Sequence, residues 1–158
     1  MHVLIPAAGS GSRMKAGKNK LLIELEKESL IFWTIKSIFS ASLVSWVGII
    51  GQPNDKQELL KSIKNFSNEV NWINGGETRQ KSVFNGLNSL PSNAEKVLIH
   101  DGARCLIDPN LINKCALELE QNDAVILATK VTDTIKIVDN KGYINKTPNR
   151  QNLWAAQT

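Results

Sequence analysis

Short runs of consecutive apolar residues alternate along this chain with segments whose apolar positions recur every three and four residues. Val3–Ile5 is an uninterrupted β-prone run, and Trp46–Ile50, Val70–Ile73, Lys96–Ile99 and Ala124–Ala128 repeat the type, predicting five strands. Leu30, Ile31, Thr34, Ile35, Ile38 and Phe39 follow helical spacing, and Ser29 before them suits an N-cap. Leu59, Leu60 and Ile63 mark a second helix. A third is predicted from about Arg79 to Leu90, where Pro91-Ser92-Asn93 ends it. Pro109 sits at the first turn of a fourth, on which Leu111, Cys115 and Leu119 share one face. Strand–helix alternation with continuous apolar strands predicts an α/β fold, its mostly parallel sheet covered by helices on both faces.

Beyond Lys130 the period changes. Thr132–Val138 alternates like a strand, Asp139–Gly142 reads as a turn and Tyr143–Lys146 can return. The expectation is one domain over residues 1–158, with residues 131–150 a hairpin arm suited to dimerisation. The chain reaches Gln157-Thr158 without a closing helix or strand, so a C-terminally shortened sheet is expected.

Composition narrows the function without naming it. The 158 residues are 42% apolar and 22% charged, which fits a folded domain and excludes wholesale disorder. No apolar run has the roughly 18 residues of a membrane span, and the N-terminus has no basic region ahead of its apolar stretch. No membrane partner and a cytoplasmic location are expected, or the plastid stroma for a plastid-bearing source. Two cysteines without CxxC spacing make neither a disulfide scaffold nor a zinc site; Cys115 reads as helix core. A net charge of +4 is modest, its cations cluster in one loop, and aromatics are 6%, so no nucleic-acid partner is expected.

Three segments that look chemical directly follow strands, where open α/β sheets hold their ligands. In the first, small residues from Ala7 to Ser12 let backbone amides approach an anion, and Arg13, Lys15, Lys18 and Lys20 add four cations within eight residues. Met14 stands where a dinucleotide fingerprint needs glycine or alanine, and the P-loop Gly-Lys-Ser/Thr is absent. The second segment is Gly75-Gly76-Glu77-Thr78-Arg79-Gln80-Lys81-Ser82-Val83. The third is His100-Asp101-Gly102-Ala103-Arg104.

The first loop resembles the signature loop of nucleotidyltransferases, Gly-x-Gly-x-Arg-Met followed by Pro-Lys. More narrowly, the chain resembles the 2-C-methyl-D-erythritol 4-phosphate cytidylyltransferase family. That resemblance rests on the three segments together with Val131–Lys136 and Asn152-Leu153-Trp154 through Gln157-Thr158. It implies a Rossmann-like, nucleotide-diphospho-sugar transferase-like fold and transfer of CMP from CTP to methylerythritol phosphate. Pyrophosphate leaves, and magnesium is the implied cofactor. Arg13 and Lys20 match the cations that clamp the reacting phosphates. Ala7, Ala8, Gly9, Ser10, Gly11, Gly75, Gly76, Glu77 and Ser82 match nucleotide contacts, with Gly75–Glu77 as the turn that tells cytosine from uracil. Asp101, Gly102, Ala103 and Arg104 match the acceptor side, and Asp101 is the candidate magnesium ligand, directly or through water. Thr134, Arg150 and Thr158 match acceptor contacts, the first two reaching the neighbouring subunit of a homodimer.

The departures carry their own expectations. Asn19 stands where the pattern has proline, which would loosen the loop before Lys20. Cys105 stands where relatives have proline and reads as a neutral loop substitution. Arg79 is open between a helix-start surface charge and a site residue. Because the attacking phosphate is already anionic and needs no base, His100 reads as structural. The family continues into a final strand and helix that this sequence lacks. The alternatives are a ribitol 5-phosphate cytidylyltransferase, which shares the fold and first loop, and an inactive CTP-binding fragment. Guanylyl- and thymidylyltransferases share only that loop.

Overall fold

A computed structural model describes residues 1–9 and 19–157. The chain divides into two compact units, Met1–Asp123 and Ala124–Thr158.

In the first unit, β1 (His2–Pro6) leads to a small hairpin, β2 (Glu24–Leu25) and β3 (Glu28–Ser29), and then α1 (Leu30–Phe39). The hairpin was not legible as strands; its turn places Glu26 and Lys27 at φ 50° and 68°. β4 (Trp46–Gly51), α2 (Lys56–Ser62), β5 (Asn71–Asn74), α3 (Arg79–Asn88), β6 (Val97–Ile99) and α4 (Pro109–Glu118) follow. The four long-range strands pair in parallel in the order β5-β4-β1-β6. The chain thus starts at the centre, runs outward through β4 and β5, and crosses back to β6 on the other side of β1. The strand order reverses between β1 and β6, and that reversal opens a crevice at the carboxyl edge.

Alternation along the strands sorts the core into two layers. Val3, Ile5, Val47 and Ile49 pack with Ile31, Ile35 and Ile38 of α1, Leu59 of α2 and Ile112 of α4. Leu4, Ile50 and Ile73 point to the opposite face. There α3 lies close because it carries Gly86, where a Cβ would come within 2.5 Å of Ile50 Cδ1. Helices therefore cover both faces, as the periodicity predicts. The caps follow too. Ser29 Oγ accepts from Phe32 N–H at 3.2 Å, Thr78 Oγ1 from Lys81 N–H at 3.1 Å, and Asp108 Oδ1 from Asn110 N–H at 2.8 Å, ahead of Pro109. Cys115 is buried on α4, and that burial pushes its thiol above the usual range.

The second unit holds two small antiparallel sheets. β7 (Ala128–Lys130) pairs with β10 (Trp154–Ala156), and β8 (Ile137–Val138) pairs with β9 (Ile144–Lys146) around a turn with Gly142 at φ 86°. The hairpin is where the alternation places it, but the long strand over 132–138 is confined to its last two residues. The fifth strand is also corrected. Of Ala124–Ala128 only Ala128 is strand, and it belongs to an antiparallel pair, not to the parallel sheet. A short apolar run states that a segment can be strand, while its ladder partner decides where it is one. Here the pairing starts at Leu127, whose carbonyl accepts from Gln157 N–H at 2.7 Å. Among the described residues, no helix is long and apolar enough to cross a membrane.

Candidate functional site

Each of the four parallel strands ends at one cleft of about 820 Å³. Pro6, Ala7, Ala8 and Gly9 line it after β1, Gln52 after β4, Gly76, Glu77, Thr78, Arg79 and Ser82 after β5, and Asp101–Arg104 after β6; Lys20 and Leu21 complete the wall. Backbone hydrogen bonds carry the sheet's order into these loops. Ala7 N–H donates to Ile50 O at 2.7 Å, Gly75 N–H to Gly51 O at 2.8 Å and His100 N–H to Leu4 O at 2.9 Å.

The turn after β5 is fastened from two sides. Ser82 Oγ, almost wholly buried, accepts from Gly76 N–H at 2.9 Å and lies 3.3 Å from Gly76 O, while Gln52 Nε2 donates to the same carbonyl at 3.3 Å. Gly75 is required because a Cβ there would lie 2.7 Å from the Ala8 Cβ. The backbone of the glycine-rich turn therefore packs directly against the Ala8 methyl group of the first loop.

The loop after β6 is held from below. Thr34 Oγ1 lies 2.7 Å from Gly102 O and 3.1 Å from Leu30 O, so α1 supports the turn through a fully buried hydroxyl. His100 is 1% exposed, and its Nε2 faces Arg104 O at 3.2 Å. A carbonyl can only accept, so Nε2 carries the proton. Burial holds the imidazole below its ordinary pKa, against the smaller raising effects of that hydrogen bond and of Asp101. This is a neutral histidine bracing a loop, as the sequence reading has it.

Asp101 joins the two loops. Its Oδ1 accepts from Arg79 Nη2 at 2.8 Å and its Oδ2 from Arg104 Nε at 3.3 Å. Arg79 is thereby a cleft residue, and its place at the start of α3 gave no sign of the partner across the cleft. Asp101 and Glu77 are the carboxylates of the wall. Among the described residues, no three His, Cys, Asp or Glu side chains come together as a metal cage. Magnesium in nucleotide sites keeps several waters and takes one or two carboxylates besides substrate phosphates, so Asp101 fits a cation brought in on a phosphate.

A model of the family described as 2-C-methyl-D-erythritol 4-phosphate cytidylyltransferase (IspD) matches residues 1–158. The chain belongs to this family. A relative with that description from Prochlorococcus marinus subsp. pastoris is 89% identical over all of this chain and 71% of its own length. One from another Prochlorococcus marinus strain is 86% identical with the same coverage. Among solved structures, 4-diphosphocytidyl-2C-methyl-D-erythritol synthase from Anaerococcus prevotii superposes with a TM-score of 0.87 at 30% identity, over 99% of this chain and 68% of that one.

For an IspD family member the expected residues are placed as follows. The structure gathers Ala7, Ala8, Gly9, Lys20, Gly76, Glu77, Ser82, Asp101, Gly102, Ala103 and Arg104 around the cleft, with Gly75 packed beneath. Ser10, Gly11, Arg13 and Thr158 lie outside the described residues. Thr134 and Arg150 are exposed in the second unit, where Arg150 Nη1 donates to Thr132 O at 2.5 Å. Sequence reasoning missed Gln52, although the signal was available: β4 was the one parallel strand whose carboxyl end had been given no candidate. The hydrogen bonds of Asn19 were not legible. Asn19 itself is clasped, because its buried amide makes three hydrogen bonds, while residues 10–18 ahead of it lie outside the described residues.

Proposed function

We propose that this cleft binds CTP beside the phosphate of 2-C-methyl-D-erythritol 4-phosphate, and that the chain transfers CMP between them. The observation that carries the reading is the convergence of all four strand ends on one cleft. Close-packed backbone meets Lys20, Arg79 and Arg104 there, in a chain of this family. An oxygen of the acceptor phosphate attacks the α-phosphorus, a new P–O bond forms, and the bond to the β-phosphate breaks to release pyrophosphate. Both reactants are anions, so the barrier is largely their mutual repulsion, and cations fixed in place lower it. Lys20 supplies a point charge to the phosphates, and Arg13, assigned by family resemblance, supplies a planar fork. The Gly75–Glu77 turn faces the base, where a carbonyl or carboxylate accepts from cytosine's amino group and repels uracil's carbonyl. Asp101 and Arg104 face the acceptor. Asp101 would be the protein partner of a magnesium ion arriving with the triphosphate, which would supply neutralising charge. Residues 131–150 form the homodimer arm that brings Thr134 and Arg150 to a neighbour's acceptor. Exposed Ile137, Val138, Tyr143 and Ile144 support this, since such a patch suits burial in an assembly.

Calorimetric titration of the chain with CTP, UTP and GTP in the presence of magnesium tests the reading. The expected result is preference for CTP, abolished in Arg13→Ala. Absence of CTP binding by folded protein, or equal binding of UTP, overturns it. Pyrophosphate release with methylerythritol phosphate but not ribitol 5-phosphate then fixes the acceptor, and sedimentation tests the dimer.

A further inference from the structure

We propose that Asn19, backed by Asp55, is a positioning residue that holds Lys20 at the cleft, doing with hydrogen bonds what the proline of the family pattern does with its ring. The proposal rests on the reading of Lys20 as a phosphate-binding cation.

Both N–H donors and the carbonyl oxygen of the Asn19 amide are directed at backbone and at one carboxylate. Nδ2 donates to Ala7 O at 3.0 Å and to Asp55 Oδ2 at 2.8 Å, and Oδ1 accepts from Leu21 N–H at 3.1 Å. The residue is 7% exposed, so these bonds are made where water does not compete freely. Its backbone sits at φ −60° and ψ 124°, an extended conformation with φ in the range a proline ring imposes. Its carbonyl then accepts from Leu22 N–H at 3.0 Å, starting the short turn Lys20–Leu22.

Lys20 is thus anchored on both sides. Before it stands the clasped Asn19. After it stands Leu21, 2% exposed in the core, whose methyl carbons back Gly102. A lysine side chain is long and flexible, so only a fixed backbone restricts where its ammonium can reach. Asp55 lies in the turn Pro53–Asp55 beyond β4, so the clasp also ties the carboxyl ends of β1 and β4 together at the site. Its charge strengthens the bond it accepts. Ala at position 19 removes all three bonds and frees φ. Pro removes the bonds but keeps φ.

The test is titration of the full chain with CTP and magnesium, reading affinity and stoichiometry separately. Asn19→Ala is expected to weaken CTP about tenfold at unchanged stoichiometry, in line with the steep cost of misplacing a charged group. Asn19→Pro should stay within about threefold of the unaltered chain, and Asp55→Ala should lose about threefold. In a Lys20→Ala background, Asn19→Ala and Asp55→Ala should each add less than about twofold, because the residue they position is gone. Merely structural support would lower the stoichiometry and cost the same in both backgrounds. Unchanged affinity in Asn19→Ala, an equal loss with and without Lys20, or Asn19→Pro as weak as Asn19→Ala each overturns the proposal. If Asn19→Ala fails to fold, Asp55→Ala with and without Lys20 decides it by the same criterion. Failure of the unaltered chain to bind CTP is a different result; it overturns the reading of the cleft and with it the role given to Lys20.

Discussion

The two units are built on opposite terms. Met1–Asp123 surrounds its strands with buried side chains, and Val3, Leu4, Ile5, Ile35, Ile38, Ile49 and Ile50 are fully enclosed. In Ala124–Thr158 no described residue is buried, and Ile126, Ile137, Val138, Tyr143, Ile144 and Trp154 are all exposed. One unit takes its shape from apolar burial. The other is held by backbone ladders, turn bonds such as Asp139 Oδ1 with Lys141 and Tyr143 N–H, and the Lys130 ammonium over the Trp154 ring. The cleft stands on the first kind of structure, so its geometry inherits the rigidity of a packed core.

Truncating one isoleucine in each unit breaks this comparison most sharply. Ile35→Ala removes a fully buried side chain from α1, and a loss of about 2–5 kcal/mol is expected from urea unfolding. Ile137→Ala, half exposed on β8, should stay within about 0.5 kcal/mol in dilute solution. Similar losses at the two sites would show that the second unit buries its apolar residues too.

The same contrast explains what the sequence made legible. Burial writes a period, so the four parallel strands, the four helices, the cap Ser29 and the helix start at Pro109 could be read within a residue or two. Where no core imposes a period the reading failed: 124–127 is not strand, and 132–136 is not either. The site divides in the same way. Three of the four loops that follow the parallel strands were legible, because topology delivers every strand end to one edge, and the same rule would have found Gln52 after β4. Cross-cleft pairings were not, because Arg79 meets Asp101 across 22 positions and Asn19 meets Asp55 across 36, and no local pattern encodes such distances.

A substitution of intermediate effect tests whether core and cleft form one structure. Thr34→Val keeps the shape of a wholly buried residue but withdraws the hydroxyl from Gly102 O. Leaving that carbonyl without its donor is expected to cost about 1–3 kcal/mol, and to weaken ligands of the cleft alongside. Full stability in Thr34→Val would mean that the turn after β6 holds itself.

Acid separates the units in another way, since both histidines, His2 and His100, lie in the first. Burial lowers the folded-state pKa of His100 below its ordinary value of 6.5. Between the lowered value and 6.5 the unfolded chain therefore binds more protons than the folded one. The stability held by neutral His100 is fully present above 6.5 and is lost as pH falls through that window. Urea midpoints measured at pH 7.5 and pH 5 should show the decline, and His100→Asn should flatten it. An unaltered slope in that variant would assign the acid sensitivity to other groups.

The smallest change compares one exposed arginine from each unit. Arg79 pairs with a partly exposed carboxylate, and Arg150 donates to a backbone carbonyl. Solvent screens the first pair, and ordering a long side chain offsets much of its attraction, so Arg79→Ala should cost less than about 1 kcal/mol in unfolding measurements. Arg150→Ala should fall in the same range. Stability alone will therefore not tell the two apart, but a ligand will. Arg79 lines the cleft, so its loss should shrink the rise in melting temperature that CTP gives. Within a monomer Arg150→Ala should leave that rise intact. An Arg79→Ala loss well above 1 kcal/mol would instead show that its bridge to Asp101 is shielded from water and serves to fasten the loops after β5 and β6 whether or not a nucleotide is bound.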